Sequence, residues 1–215
     1  SSDEEKRALQ ALESQQKTRR YHLAHEPLSA DAVLKEHKGR TLVVCNVVER
    51  AQRLFHALRI HPDLENTELL LLHSRFLPED RGRVEKEIRE TYGHAETRDI
   101  DCITVATQAI EVGLDITCDT LHSEIAPANA ILQRSGRCAR YKGQEGDVYI
   151  YDQALDRDGA CIDLVERHLP YQGMKRECQA TRDIFAAKSG ESLAFSSEQE
   201  LITRVHGPRD KRTVA

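Results

Sequence analysis

Three arginines lie within seven residues of one another in the segment Gln133-Arg-Ser-Gly-Arg-Cys-Ala-Arg140. Arg137 and Arg140 are three positions apart, so on a helix they would share a face, which Gly136 would keep thin. A guanidinium group is permanently charged, and its fork of donors matches the spread charge of a transferring phosphoryl group. The spacing therefore predicts a phosphate-transfer site, with a solvated basic face as the alternative.

A second polar segment, Thr107-Gln-Ala-Ile-Glu-Val-Gly-Leu-Asp115, directly follows a short apolar run. Ligands of open α/β sheets bind at the carboxyl ends of strands. There the Thr107 hydroxyl could bind a phosphate, and Gly113 would let the backbone approach an anion closely. Asp115 could accept hydrogen bonds from ribose or orient an arginine. The alternatives are a strand-end hydroxyl bonded to backbone for Thr107 and a helix or turn cap for Asp115.

Short apolar runs alternate with helical patterns through the middle of the chain. We predict strands at residues 41–45, 67–72, 102–106, 120–125 and 147–151. We predict helices at 28–38, 48–59 and 78–91, and within 127–140. Because alternating strands and helices form βαβ units, the expected fold is α/β, a three-layer arrangement of a mainly parallel sheet flanked by helices.

The two ends of the chain differ from the middle. Residues 1–38 are predicted to form an N-terminal helical extension or linker, beginning with a charged stretch over residues 1–20. Residues 39–155 are predicted to form the α/β domain. Residues 156–215 are predicted to form a C-terminal helical extension, with helices at 161–169, 174–187 and 197–205.

Composition narrows the classes of function. The formal net charge of −5 argues against a globally basic nucleic-acid binder, although a local cluster of donors can hold phosphates on an acidic protein. The six cysteines contain no C-x₂₋₄-C pair, so we predict reduced, mostly buried thiols and no metal site. Since no apolar run approaches the ~20 residues of a membrane span, we expect a cytoplasmic protein with no membrane contact.

The two polar segments resemble motifs V and VI of superfamily 2 helicases. The family pattern for motif VI is Q/H-R-x-G-R-x-x-R, and residues 133–140 match every fixed position. Asn46 follows the first predicted strand as in motif IV, and Ser74 lies in His73-Ser-Arg-Phe76 after the second, as in the adjacent motif. Over residues 40–152 the exact residues of these motifs, such as His73-Ser-Arg-Phe76, resemble those of the CRISPR-associated helicase of type I interference.

The resemblance implies that this chain is a second RecA-like domain and half of a motor. In such helicases ATP lies between two RecA-like domains, and the first domain brings the phosphate-binding loop and the Asp-Glu pair that holds Mg²⁺. No Gly-Lys-[Ser/Thr] sequence occurs in this chain, and its Asp3-Glu4 pair follows no predicted strand. The implied cofactors are ATP and Mg²⁺, and the chain alone is expected to be inactive.

The resemblance also assigns residues and partners. It implies that Arg137 and Arg140 act on the γ-phosphate. The residues implied to line the nucleotide are Gly113, Asp115, Gln133 and Arg134, with a bracing role favoured for Arg134. The residues implied to hold the nucleic-acid strand are Asn46, Ser74 and Thr107. The implied partners are single-stranded DNA, with RNA as an alternative, a first RecA-like domain in the same or another chain, and a CRISPR surveillance complex.

Three alternatives remain open at this stage. The chain could belong to another superfamily 2 DNA or RNA helicase, or it could be a nucleic-acid-binding module with the helicase fold and no ATP turnover. A doubly wound metabolic enzyme would need a Gly-rich loop after the first predicted strand, and Asn46-Val-Val-Glu49 contains no glycine. At the residue level, Asn46 and Ser74 could be ordinary turn residues, and His73 is expected to be packed at a strand end.

Overall fold

A computed structural model describes residues 18–64, 66–93, 100–111, 113–167 and 169–194. The strands are β1 Thr18–Ala24, β2 Arg40–Val44, β3 Glu68–Leu72, β4 Cys102–Ala106, β5 Thr120–Glu124, β6 Glu145–Tyr151, β7 Gln153–Leu155, β8 Cys161–Asp163 and β9 Ser192–Ala194. The helices are α1 Ala30–Glu36, α2 Val48–Arg59, α3 Pro78–Tyr92, α4 Ala128–Ser135 and α5 Lys175–Ala187, and a 3-10 turn covers Gln108–Ile110.

The main sheet has the strand order β3-β4-β2-β5-β6-β1-β9. All neighbouring strands run parallel except the β1–β9 pair, which is antiparallel. The strands β4 and β5 are buried along their whole length. β4 accordingly appears in the sequence as a continuous apolar run, whereas β5 contains polar residues that are buried inside the protein. The five strands predicted from the sequence are confirmed.

Helices cover both faces of this sheet. α1 and α2 contact each other, and α4 packs on β5 and against α5, which packs on β1. The connection from β2 through α2 to β3 and the connection from β3 through α3 to β4 step in opposite directions across the sheet. Because such crossovers are right-handed, α2 and α3 lie on opposite faces. The result is the predicted three-layer α/β arrangement.

Residues 18–24 are a strand and not part of a helical extension. β1 pairs in register with β6, so this segment belongs to the main sheet. Its buried positions alternate, but one of them is Arg19, whose Nε donates to the carbonyl of Cys138 at 2.6 Å. An inward-facing arginine hides the period-two pattern of the strand from sequence inspection. Residues 1–17 lie outside the described residues.

The segment 161–169 is also not the predicted helix. β7 and β8 form an antiparallel hairpin, and the Asp163 carboxylate then accepts hydrogen bonds from the backbone N–H groups of Val165 and Glu166 in a turn. α5 confirms the helix predicted at 174–187, and β9 pairs with β1 beyond it. The segments 18–24 and 192–194 thus extend the sheet of the central domain, while the helix predicted at 197–205 lies outside the described residues.

The six cysteines are free thiols, and all but Cys161 are buried, as predicted. Across the described residues, no helix combines the length and the apolar character needed to cross a membrane.

A buried histidine lies on the sheet face below α1. His122 stacks on Tyr149 with ring centroids 5.2 Å apart, and its Nδ1 is 2.8 Å from the Tyr151 hydroxyl. Its Nε2 has no hydrogen-bond partner among the described residues. Burial, and secondarily the charge of His37, lowers the pKa of His122 to about 3. The histidine is therefore neutral in the fold.

We expect acid to destabilise the fold through His122. Because the folded pKa lies below the ordinary value of 6.5, the stability tied to this group is complete above pH 6.5. It is lost as the pH falls from 6.5 towards 3, at up to about 1.4 kcal/mol per pH unit. Thermal unfolding of the wild type and of His122→Gln between pH 7 and 4 measures this effect. Equal slopes in the two proteins would contradict it.

Candidate functional site

The first candidate segment leaves its helix before the last two arginines. α4 ends at Ser135 with Gly136 as its cap, and the next backbone bonds are the tighter ones of a turn, from Arg137 N to Arg134 O and from Cys138 N to Ser135 O. Cys138 then pairs as an isolated bridge with Cys118. The prediction that Arg137 and Arg140 share a helix face is therefore wrong. The helix ends before both residues, and the segment that carries them lies beside Cys118, just before β5.

The loop from Thr107 to Thr117 brings the second candidate segment to these arginines. β4 and β5 are parallel, so this loop runs from the carboxyl end of β4 back to the amino end of β5. At its far end Asp115 pairs with Arg140 at 2.6 Å, and the Thr117 hydroxyl accepts a hydrogen bond from Arg140 N at 3.2 Å. The two segments therefore form one site on the amino-terminal side of β5.

Arg137 is the least compensated charge of this site. Its Nη2 donates to the backbone carbonyl of Glu111 at 2.8 Å, and its buried Nε has no hydrogen-bond partner among the described residues. Burial, and then the positive charge of the neighbouring Arg140, lowers the pKa of Arg137, although an arginine stays protonated. The two carboxylates near Arg137 are each paired with another arginine, Asp115 with Arg140 and Glu111 with Arg134. A bound anion could accept a hydrogen bond from the Arg137 Nε and balance its positive charge.

Arg134 points away from this site into the protein. Its side chain is 0% exposed, and its Nε donates to the Glu111 carboxylate at 2.8 Å. The Nη1 atom donates to Ser123 Oγ and to the Glu124 carbonyl, and Nη2 donates to the Tyr171 hydroxyl. This arrangement corrects the assignment of Arg134 to nucleotide contacts, because its guanidinium ties the loop, β5 and the segment before α5 together.

Gln133 and Gly113 are exposed beside the site. Gly113 has φ +80° with open space where a Cβ would stand, so its backbone conformation and not crowding favours glycine there. Its carbonyl accepts a hydrogen bond from Arg89 at 3.4 Å. Both residues therefore lie at the surface, where a ligand could reach them.

The three predicted strand contacts lie at the opposite, carboxyl edge of the sheet. Ser74 is exposed just after β3, and Thr107 is buried just after β4 with its N–H bonded to the Leu72 carbonyl. The two positions are thus neighbours across adjacent strand ends. Because the loop that begins at Thr107 ends at Asp115, this edge is physically connected to the arginine pair.

Asn46 does not fit a phosphate contact. It is 5% exposed, and its side-chain nitrogen donates to the Ile125 carbonyl at 2.8 Å. Its backbone N–H donates to the Glu124 carboxylate at 2.6 Å, which also holds Arg50 at 2.5 Å. The structure therefore argues against a direct phosphate contact by Asn46, because its side chain is buried and one of its two amide N–H groups joins β2 to the end of β5.

Two functional supports were not singled out from the sequence. Glu111 lies inside the quoted loop and holds Arg134 through its carboxylate and Arg137 through its carbonyl. Arg19 holds the carbonyl of Cys138, which lies between the half-buried Arg137 and Arg140. The charge of Glu111 next to an arginine-rich segment could have drawn attention to it, whereas Arg19 gives no signal within a segment of predicted helix.

Gly146 is a further residue on which the arginine turn depends. It is buried in β6, and an added Cβ would collide with Cys138 Sγ and stand 3.0 Å from the Asp119 carbonyl. Gly146→Ala is expected to lower the free energy of unfolding by about 1–3 kcal/mol through overpacking. Denaturant unfolding measures this loss. The matched control is Gly82→Ala in α3, where a Cβ meets open space and a gain of roughly 0.5–1 kcal/mol is expected. An unchanged Gly146→Ala protein would show that Cys138 is loosely packed.

The mainly parallel sheet lies between two layers of helices, and an arginine pair follows α4 in the connection from β5 to β6, in a fold of the RecA-like type. Residues 37–143 match the family model described as CRISPR-associated nuclease/helicase Cas3, C-terminal. The chain contains a Cas3-type helicase C-terminal domain.

Individual relatives agree with this assignment. The chain is 35% identical over 105 residues to the CRISPR-associated endonuclease/helicase Cas3 of Escherichia coli (strain K12), which covers 48% of this chain and 12% of that protein. A crystal structure of T. fusca Cas3-AMPPNP superposes with a TM-score of 0.74 at 22% identity, over 91% of this chain and 24% of that one. A chain of a CRISPR RNA-guided surveillance complex, pre-nicking, gives a TM-score of 0.66 at 20% identity, over 91% of this chain and 25% of that one. The chain thus spans a quarter or less of the length of these relatives.

Proposed function

We propose that this chain is the second motor domain of an ATP-dependent, Cas3-type helicase that moves along single-stranded DNA. Arg137 and Arg140 act on the γ-phosphate of an ATP molecule that a first RecA-like domain binds. The observation that carries the proposal is the half-buried Arg137 guanidinium, which the Glu111 carbonyl orients and which, among the described residues, forms no salt bridge of its own, since the nearby Asp115 and Glu111 carboxylates pair with Arg140 and Arg134.

The two arginines have different roles in this proposal. Arg140 is aimed by Asp115, which is 70% exposed and leaves the pair at the surface. Arg137 brings the uncompensated charge, and a γ-phosphoryl group gains charge on its outer oxygens as it transfers. Preorganised donors aimed at developing charge are a large source of rate enhancement, because they need no rearrangement during the reaction. Asp115, Gly113 and Gln133 line the same edge of the nucleotide.

The strand is held at the other edge of the sheet. Ser74 offers an exposed hydroxyl group there, with the largely buried Thr107 beside it, and hydroxyl side chains commonly bind nucleic-acid phosphates. The loop from Thr107 to Asp115 spans the two edges, so closing the cleft around ATP would shift the strand contacts. This connection supports a motor more than a passive binding module.

The partners follow from the missing half of the site. Among the described residues, no group of three or more His, Cys, Asp or Glu side chains could hold a metal ion. As the family resemblance implies, the proposal assigns Mg²⁺ and the phosphate-binding loop to the first RecA-like domain. The T. fusca relative whose structure is named with AMPPNP supports ATP as the nucleotide, and the relative in a surveillance complex supports a CRISPR complex as the partner.

Mixing the two halves tests the proposal. Strand-stimulated ATP hydrolysis is measured for this chain alone, for the first RecA-like domain of the same helicase alone, and for the two together. We expect turnover only in the mixture, with single-stranded DNA stimulating more than RNA. Silence of a mixture whose components demonstrably associate would instead favour a nucleic-acid-binding module with the helicase fold.

A further inference from the structure

A stacked pair of rings stands at the carboxyl edge of the sheet, next to the strand contacts proposed above. The rings of His73 and Phe76 lie 4.3 Å apart between centroids and are nearly parallel, at 9°. They occupy a tight turn after β3, which also contains exposed Ser74 and leads to Leu77, 70% exposed at the start of α3. The turn therefore presents a flat aromatic group and an aliphatic one at an edge already argued to meet a nucleic-acid strand.

The inner ring of the pair is rigidly mounted. His73 is 4% exposed, and its Nε2 lies 3.1 Å from the Gln52 side-chain nitrogen on α2. Its Nδ1 accepts a hydrogen bond from Arg75 N at 3.3 Å. Burial lowers the pKa of His73, so the ring is neutral near pH 7. As predicted from the sequence, His73 is a packed residue. Its ring covers the inner face of the Phe76 ring and supports it.

The charge of the turn is internally balanced. Arg75 Nη2 pairs with the Glu49 carboxylate at 2.6 Å, both groups being largely exposed. The turn therefore has little net charge to offer a phosphate, while Phe76 is only half-buried and covered from within by His73. Aromatic rings with one supported face are platforms for nucleobases, since every base has a π-face.

From these contacts we infer that Phe76, backed by His73, stacks against a base of the bound single strand. The inference rests on the proposed function and adds a base contact to its phosphate contacts. Ser74 and Thr107 hold the backbone, and Phe76 holds one base beside them. Such a contact tolerates any base sequence and does not depend on counterion release, so its share of the affinity is insensitive to salt.

The chain has no tryptophan, which makes a direct test possible. Phe76→Trp places a single Trp fluorophore beside His73, and Phe55→Trp places one at a half-buried position of α2 as the matched control. Each protein is titrated with an oligo(dT) and with an abasic oligonucleotide of equal length, which has the same phosphates and no bases. We expect oligo(dT) to quench the emission of Phe76→Trp, the abasic strand to leave it nearly unchanged, and the Phe55→Trp emission to respond to neither.

Affinity measurements with Phe76→Leu complete the test. This substitution is expected to weaken oligo(dT) binding roughly 5- to 100-fold, the range for one stacked base, at both low and moderate salt. Abasic binding should not change, and unfolding experiments confirm that the variant is folded. Equal weakening of binding to oligo(dT) and to the abasic strand would overturn the inference. Phe76 would then support the fold of the turn, or contact another protein domain, without stacking on a base. A wild-type chain that binds the abasic strand as well as oligo(dT) would overturn it and leave the proposed function intact. Binding of neither strand would overturn both.

Discussion

Arg137→Ala is expected to reduce strand-stimulated ATP hydrolysis roughly 10³- to 10⁵-fold in the presence of the first RecA-like domain, the range for an arginine finger. The loss follows from removing the uncompensated charge of the site, while Asp115 and Arg140 remain paired. Arg137→Lys should recover little, because an ammonium group cannot reproduce the fork of donors. Single-turnover kinetics at saturating ATP separates the chemical step from binding.

Two comparisons keep this expectation specific. Arg83→Ala removes an exposed arginine of α3 that pairs with Asp80, and it should leave turnover unchanged. The nucleotide affinity of Arg137→Ala should also change little, since most ground-state binding would come from the first domain. A loss of turnover below about tenfold would show that Arg137 is a structural residue and that its orphaned Nε has no ligand to meet.

Arg134→Met is expected to lower the free energy of unfolding by about 3–5 kcal/mol, the range for breaking a buried ion pair from one side. The substitution strands the Glu111 carboxylate, which is 13% exposed, and removes donors from Ser123 and Tyr171. Methionine keeps most of the side-chain length, so the loss reports charge and hydrogen bonds more than volume. Denaturant unfolding provides the measurement, and Arg137→Met, which loses one backbone hydrogen bond, should lose only about 0.5–1.5 kcal/mol.

Glu111→Gln with Arg134→Met closes a double-mutant cycle. If the pair acts as a brace, the double variant should be more stable than the sum of the single losses predicts. The opposite pattern, in which Arg134→Met stays stable and loses turnover as completely as Arg137→Ala, would return Arg134 to the nucleotide.

Much of the fold could be predicted from the residues because β2 and β4 are buried on both faces. The runs at β2, β3 and β4 are short and almost wholly apolar, and helical spacing separates them. β1 escaped prediction since the partner of inward-facing Arg19 is the carbonyl of Cys138, 119 residues away along the chain. The residues within β1 alone cannot indicate a partner so far away along the chain.

The residues of the candidate site could be predicted from the sequence, but the hydrogen-bond and ion-pair partners of each side chain could not. The motif resemblance places three arginines together, yet only the contacts distinguish them. Arg134 is buried and bonded to Glu111, Arg140 is paired with Asp115, and Arg137 keeps a buried N–H donor that has no partner in the part of the chain that the structure describes. Asn46 fails as a strand contact for the same kind of reason. Its side-chain nitrogen donates to the carbonyl of Ile125, which is 79 residues away along the chain.

Whether Arg137 acts across the cleft on the γ-phosphate is tested most directly by nucleotide-dependent association of this chain with the first RecA-like domain. Sedimentation or calorimetry would compare ADP with ADP·aluminium fluoride, which mimics the transferring phosphoryl group, for the wild type and Arg137→Ala. We predict that the mimic tightens association of the wild type and that Arg137→Ala loses this gain while retaining the association seen with ADP. Association that is equally strong with ADP and with the mimic, or equally tightened in both proteins, would contradict the account.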